Sequence, residues 1–586
     1  MKRGLLLTCF ILALVTCFAE NGTGMRADLA QVFAIRGTPC SLSFVQSIPG
    51  ERIFSQLVNL KPNRVVTAEA YTNIRSESDY AILKNPLRTQ KTVTHVDWII
   101  LIAYGLLMLG VGFYFSKRNR NTEDYHLGSR SMNPVMVGLS LFATLMSTLT
   151  YLSYPGEMIK YGPVIFASLA SFPLVYLIVG WLIIPRFMKM RVTSAYEILE
   201  IRSGPGVRVM ATFFFLSLRL LWMATIIFAT VNTAMVSIFG FDKSYVPLIC
   251  LIISLVTVVY TSMGGLKAVV ITDALQTLIL ILGAILTLIF VSVQLGSFSA
   301  IIPEKMPGHW EDIKWGFDAD RRMTVANAIL SVFVWYICTA GSDQMAIQRY
   351  FSTGNLRSAR KTFRISLITN FMVQVLLALV GLALLAYFTQ RPDELPAGET
   401  LFTSADSLFP RYIVVGLPAG ITGLVAAGLL SAAMSSLSSG LNSSSAVINE
   451  DVFKRFVHPK MKTSSLRQAR IISVIIGLVV TVLCLLVGYV KGNLLEVVIK
   501  VVNLFVSPLF VLFFMALFVP FSTEKGTLAG GMISVIIAVL IAFFEIFGLK
   551  VLWIMPLSFA SGILTGCLFS LPGFYNLETN NSKKTE

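Results

Sequence analysis

From His95 onward, long apolar runs alternate with short polar stretches. Runs of about 20 apolar residues are long enough to cross a bilayer as helices. The pattern predicts them over 95–116, 131–153, 163–188, 207–239, 245–263, 268–295, 323–342, 364–388, 412–448, 467–489, 493–519, 526–547 and 551–571, about thirteen spans in all. Every second loop is basic: Lys117, Arg118 and Arg120; Arg186, Lys189 and Arg191; Arg349, Arg357, Arg360 and Lys361; Lys454, Arg455, Lys460 and Lys462. Such loops are expected in the cytoplasm. The intervening loops are poorer in Lys and Arg, and one carries Asp393 and Glu394. An odd number of spans then puts the N-terminal side outside and the tail with Lys583 and Lys584 inside.

Two of these runs are not plain apolar rods. The stretch 140–155 holds Thr144, Ser147, Thr148, Thr150 and Ser153, and 431–445 is denser still in serine. Hydroxyls facing lipid are costly, so these must face other helices, water or an ion. Packing between helices is the commoner use of small residues. It does not explain why two runs far apart in sequence concentrate them.

Upstream, Lys2 and Arg3 precede a short apolar run, then Glu20 and Asn21. This reads as a signal peptide over 1–19 or an uncleaved signal anchor. Residues 20–92 are then an exported, periplasmic extension, 93–575 the membrane domain and 576–586 a cytoplasmic tail.

Composition narrows the class. The chain of 586 residues is 55% hydrophobic and 13% charged, with a mean hydropathy of +0.74, whereas soluble domains are about 25% charged. A string of soluble domains, a disordered chain and a collagen-like repeat are excluded. The net charge of +16 reflects basic loops rather than nucleic-acid binding. Of seven cysteines, Cys9 and Cys17 lie in the N-terminal run, Cys40 in the polar extension and four in apolar spans, so no disulfide framework is expected. No Walker loop, G-x-S-x-G, H-E-x-x-H or paired-cysteine metal spacing is present. An enzyme is not expected.

Several residues can carry transport chemistry. Ser435 and Ser436, with the carbonyl of Ala432, offer neutral oxygens to a small hard cation. A helix broken near 143–146 can add free carbonyls, and broken helices are a common transporter solution. Asp273 lies just inside a membrane helix, where an acid is a functional candidate. It relays Na⁺, holds a second ion, or pairs with Lys267. Gly264 and Gly265 are expected to form the turn before it. Asp343 is a gate residue or a partner of Arg349. Trp335 and Tyr336 line a solute cavity or serve as packing. Glu157, after Pro155 and Gly156, belongs to an outer vestibule or to a solvated loop.

At 264–276, 341–349 and 431–451 the chain resembles the sodium/solute symporter family, and the resemblance extends over about 95–575. It implies an all-α polytopic fold, a leucine-transporter-type inverted repeat of five plus five helices with flanking helices. The repeats would cover 131–295 and 323–519. It also implies a sodium site made by the carbonyls of Ala143, Met146 and Ala432 and the hydroxyls of Ser435 and Ser436. Asp273 matches the family's acid for ion release or a second sodium. Thr150 stands where the sugar-carrying branch has glutamine, and 144–146 lacks the aspartate of the proline branch. Stretches 155–157 and 193–202 look more like the branch carrying monocarboxylates, vitamins and iodide. The expectation is a Na⁺-coupled symporter of the inner (plasma) membrane, importing a small organic anion by alternating access. Ser147 and Thr150, with Thr144 and Thr148, would be neutral donors to a carboxylate. The expected partners are Na⁺ as the co-transported ion, the solute and the lipid bilayer. A sugar or sialic-acid symporter, a transporter-like sensor and a proton-coupled carrier remain open.

Overall fold

The computed structural model describes residues 93–585, apart from 304–305, 319–320, 396–398, 458–464 and 488–493. The predicted signal over 1–19 and the extension over 20–92 lie outside the described residues. The described residues are helical, with no strand among them.

The helices are α1 (His95–Ser116), α2 (Thr122–Leu127), α3 (Pro134–Leu145), α4 (Thr148–Tyr161), α5 (Pro163–Met188, in which 3₁₀, α and π turns follow one another), α6 (Tyr196–Ser203), α7 (Pro205–Phe239), α8 (Val246–Leu295), α9 (Val325–Ser342), α10 (Gln344–Phe351), α11 (Leu356–Gln390), α12 (Ala405–Val415), α13 (Ile421–Val447), α14 (Leu466–Val487), α15 (Leu494–Phe518), α16 (Glu524–Phe544) and α17 (Ile554–Thr585). Local sequence sets many of their starts. Thr94 and Asp97 form a reciprocal capping box on α1, Asn133 caps α3 ahead of Pro134, and Asn355 caps α11. Each cap satisfies amides that an apolar helix cannot expose in lipid.

Among the described residues, ten helices are long and apolar enough to cross a membrane, and the bent pair α3 and α4 makes eleven. The predicted thirteen differ for two reasons. Helix α8 is one run of 50 residues, about 75 Å at 1.5 Å per residue, against a hydrocarbon core of about 30 Å. It breaks at Gly265, with φ 61° and ψ −161°. Ile253 and Val256 before the break and Leu275 and Ile279 after it pack on one cluster with Tyr104 and Met434, so the halves lie side by side. They correspond to the predicted spans 245–263 and 268–295. In the predicted span 493–519, the described apolar helix is the shorter Val502–Phe518.

Gly265 is required at its position. A Cβ there would lie 2.7 Å from the Tyr125 carbonyl oxygen. The expectation of a turn at Gly264 and Gly265 holds. The predicted run 412–448 is instead two helices, α12 and α13, and α13 continues as a π-helix to Val457. Pro155 and Gly156 lie inside α4.

Helix α13 is almost wholly buried. It packs against α1, α3, α7, α8, α10 and α14, and α11 runs along α3 and α4. Ile99, Ile102 and Leu106 of α1 face outward, as lipid-facing residues would.

Candidate functional site

Two helices are interrupted at corresponding places. The α3–α4 pair bends by 68° across Met146 and Ser147, both extended. The α9–α10 pair is interrupted at Asp343, also extended. Ser147 Oγ accepts from the Thr150 amide at 3.2 Å, and Asp343 accepts from the Met345 amide at 2.9 Å. Each restarting helix is therefore capped by its own break residue. Each preceding helix is left with carbonyls that its own turns do not satisfy.

Helix α13 supplies hydroxyls to the first break. Ser435 Oγ lies 3.0 Å from the Ala143 carbonyl and 3.1 Å from the Ala432 carbonyl. Ser436 Oγ lies 3.5 Å from the Met146 carbonyl. The five residues predicted to hold sodium are thus brought together, and all are buried. They offer three carbonyls and two hydroxyls, all neutral, which suits a hard monovalent cation. Among the described residues no three His, Cys, Asp or Glu side chains cluster to hold a metal ion.

Asp273 is fully buried, and its partner is not Lys267. Lys267 instead lies 3.7 Å from Asp124 and donates to Ser129 Oγ at 2.9 Å. Asp273 pairs with Arg349 at 3.0 Å. It also accepts from Ser140 at 2.7 Å, Ser439 at 3.1 Å and Ser438 at 3.4 Å. Arg349 donates to Ser140 Oγ, Ser439 Oγ and the Met345 carbonyl. One polar knot therefore joins α3, α8, α10 and α13.

Asp343 does not pair with Arg349 either. It pairs with Arg219 of α7, and both are buried. Helix α10 is fastened by further polar contacts. Gln344 bonds the Ala195 amide and the Thr193 carbonyl, and Gln348 bonds the His126 carbonyl and Asn442.

Ser147 and Thr150 lie together, hydroxyl to hydroxyl at 3.1 Å. Thr144 and Thr148 are committed elsewhere: Thr144 donates to the Ser140 carbonyl at 2.7 Å, and Thr148 to the Leu429 carbonyl at 3.0 Å. Trp335 and Tyr336 stack edge to face at 4.8 Å, and Tyr336 meets Phe172 at 5.0 Å. The Tyr336 hydroxyl accepts from Asn370, which in turn accepts from Gln374. Glu157 pairs with Arg322 at 2.6 Å and is not an isolated loop acid. Arg219, Ser140, Ser438, Ser439 and Asn370 were not marked by the sequence. The serines were visible only as members of a dense run.

Two interrupted helices meeting hydroxyl-rich α13 define a helical secondary transporter. Residues 125–534 match the model of the sodium:solute symporter family, and the chain belongs to that family. It is a sodium-coupled symporter of a multi-pass membrane type. The sodium/sialic acid symporter SiaT of Proteus mirabilis (strain HI4320) is 29% identical over 463 residues, covering 76% of this chain and 89% of that protein. Sodium-coupled monocarboxylate transporter 1 of Homo sapiens is 28% identical over 450 residues, covering 75% and 72%. A solved substrate-bound, outward-open structure of a Na⁺-coupled sialic acid symporter superposes with a TM-score of 0.70 at 25% identity, covering 81% of this chain and 98% of that one. The likeness bears out the expected leucine-transporter-type fold.

Proposed function

We propose that the protein imports a small organic anion together with Na⁺ across the plasma membrane, with the N-terminal side outside. The observation that carries the sodium site is the position of Ser435 Oγ, 3.0 Å from one carbonyl on α3 and 3.1 Å from another on α13. An ion there would be held by Ala143, Met146, Ala432, Ser435 and Ser436, and would tie the first broken helix to α13. Two of the relatives act on sialic acid and on monocarboxylates by name, and both ligands carry a carboxylate. Here Ser147 and Thr150, which bond each other, are the hydroxyls at the α4 N-terminus, whose dipole favours an anion. Tyr336, with Trp335 beside it, would cover the solute from α9.

Sodium would bind first and fix the α3–α4 break, and solute would follow. The inner contacts of α10, including Arg219–Asp343, would then open. Asp273 would meet the departing ion, or a second one, beside the first site. One Na⁺ carried with a monoanion moves no net charge. The membrane potential, about 2.3 kcal/mol per charge per 100 mV, drives transport only when sodium exceeds solute charge.

The test is equilibrium ²²Na⁺ binding to the purified protein, wild type beside Ser435→Ala/Ser436→Ala. Saturable binding that the double variant loses is expected. Binding that survives it would place the ion elsewhere, with Asp273 the next site to substitute.

A further inference from the structure

We propose that the side-chain oxygen of Gln276 is a further ligand of the sodium ion, held in place by Tyr104 of α1. The proposal rests on the sodium reading above and extends it to two residues outside the five.

A cavity of about 10 Å³ is lined by Phe142, Ala143, Met146, Gln276, Ala432 and Ser435, among others. That is room for about one water-sized body, and the lining residues share that space. Four of them belong to the sodium set. Gln276 enters the same space from α8, a helix that contributes none of the five.

Gln276 is 1% exposed. Its Nε2 donates to the Tyr104 hydroxyl at 2.9 Å and approaches Met108 Sδ at 3.5 Å. Its Oε1 has no partner among the described residues. A buried amide oxygen left without a partner is unfavourable, so this one gains from any cation that reaches it. Tyr104 explains which way the amide faces. Its hydroxyl also meets Ser431 Oγ at 3.0 Å and directs its own proton to Met434 Sδ at 3.6 Å. The amide nitrogen is therefore the end turned towards Tyr104, and the oxygen is the end left for the cavity. Small hard cations surround themselves with about six oxygens. The five residues of the sodium set leave a place for this one.

Helix α1 precedes both repeats. Tyr104 therefore gives a helix outside the transport core a direct hold on ion affinity.

Equilibrium ²²Na⁺ binding to the purified full-length protein tests this, with Gln276→Leu, Gln276→Glu and Tyr104→Phe beside wild type. Gln276→Leu removes the oxygen and should raise Kd about tenfold, the scale of one lost hydrogen-bond-sized contact. Gln276→Glu keeps the shape and puts a carboxylate oxygen in the cavity. It should lower Kd at pH 8, with the gain fading as the acid protonates, a response that mere packing does not produce. Tyr104→Phe should weaken binding in the same direction as Gln276→Leu, but less. Unchanged affinity in a folded Gln276→Glu protein overturns the proposal even where Gln276→Leu does not fold. Unchanged affinity in Tyr104→Phe overturns the role of α1. Wild-type binding that survives Ser435→Ala/Ser436→Ala would defeat the sodium site itself, and that result is read separately from these variants.

Discussion

Arg349→Leu strands the Asp273 carboxylate inside the bundle. Arg349 is fully buried and reaches Asp273 at 3.0 Å, Ser140 at 2.9 Å and the Met345 carbonyl at 2.8 Å. Without it, Asp273 keeps only three serine hydroxyls, at 2.7, 3.1 and 3.4 Å. Removing one partner of a buried ion pair costs about 3–5 kcal/mol, because the other charge stays desolvated. With an unfolding entropy of about 2.1 cal/mol/K per residue over roughly 490 residues, the melting point should fall roughly 3–5 °C. The stranded carboxylate and its hydroxyls make an all-oxygen cage, so sodium should restore part of the loss. At a concentration 100 times its Kd, a ligand contributes about 2.7 kcal/mol. The assay is thermal unfolding of purified protein in choline chloride and in sodium chloride at equal ionic strength. Wild type, Arg349→Leu, Asp273→Asn and the double variant are compared. The double variant has no buried charge left in this knot and should melt above Arg349→Leu. A single variant within 1 °C of wild type in choline, or a double variant no better than Arg349→Leu, would refute the reasoning.

Two further outcomes follow from the same geometry. His126 of α2 lies outside the spans, fully buried, with neither ring nitrogen partnered among the described residues. Burial, with Lys454 nearby, pushes its pKa down to about 3. The unfolded chain has a value of about 6.5, so the unfolded state binds the proton first and stability falls as pH drops from about 6.5 towards 3. Between pH 7.5 and 5 the loss should be about 2 kcal/mol, and His126→Gln should flatten that part of a melting-temperature profile; parallel profiles would count against it. Gly265→Ala forces a side chain into positive φ and 2.7 Å from the Tyr125 carbonyl. It should lose about 2 kcal/mol or more, read as a lower melting point; an unchanged one would mean that the α8 turn relaxes freely.

The spans were legible because lipid demands about 20 apolar residues per crossing, and that demand is written locally. The first break was legible for the same reason: hydroxyls between 144 and 150 have no place in lipid. The turn at Gly265 announced itself as glycine. Charge partners did not. Asp273 meets Arg349 across 76 positions, and Asp343 meets Arg219 across a longer interval, while Lys267 and Arg349 were the closer cations in sequence. Adjacency in a folded bundle is set by which helices pack, and a single sequence carries no direct record of that. Gln276 escaped notice because its meaning depends on Tyr104, which lies 172 positions away. The residues flanking the first break misled in another way. Thr144 and Thr148 look like free donors, yet both are consumed by neighbouring carbonyls.

Half of the eight serines of α13 reach a carbonyl of their own helix: Ser431 that of Ala427, Ser435 that of Ala432, Ser438 that of Ser435 and Ser443 that of Ser439. Those bonds travel with the helix. A neighbour that tilts or slides along α13 breaks few of them and strands few polar groups in a dry interior. Small side chains also leave little to interlock. Helix α13 is in this sense a lubricated bearing. Friction on it is low wherever its bonds close on themselves, and high where they reach across: at Ser431 to Tyr104, at Ser435 and Ser436 to the first break, at Ser438 and Ser439 to Asp273, and at Ser445 to the Ala469 carbonyl. The crossings at the first break and at Asp273 are where an ion can act as a brake.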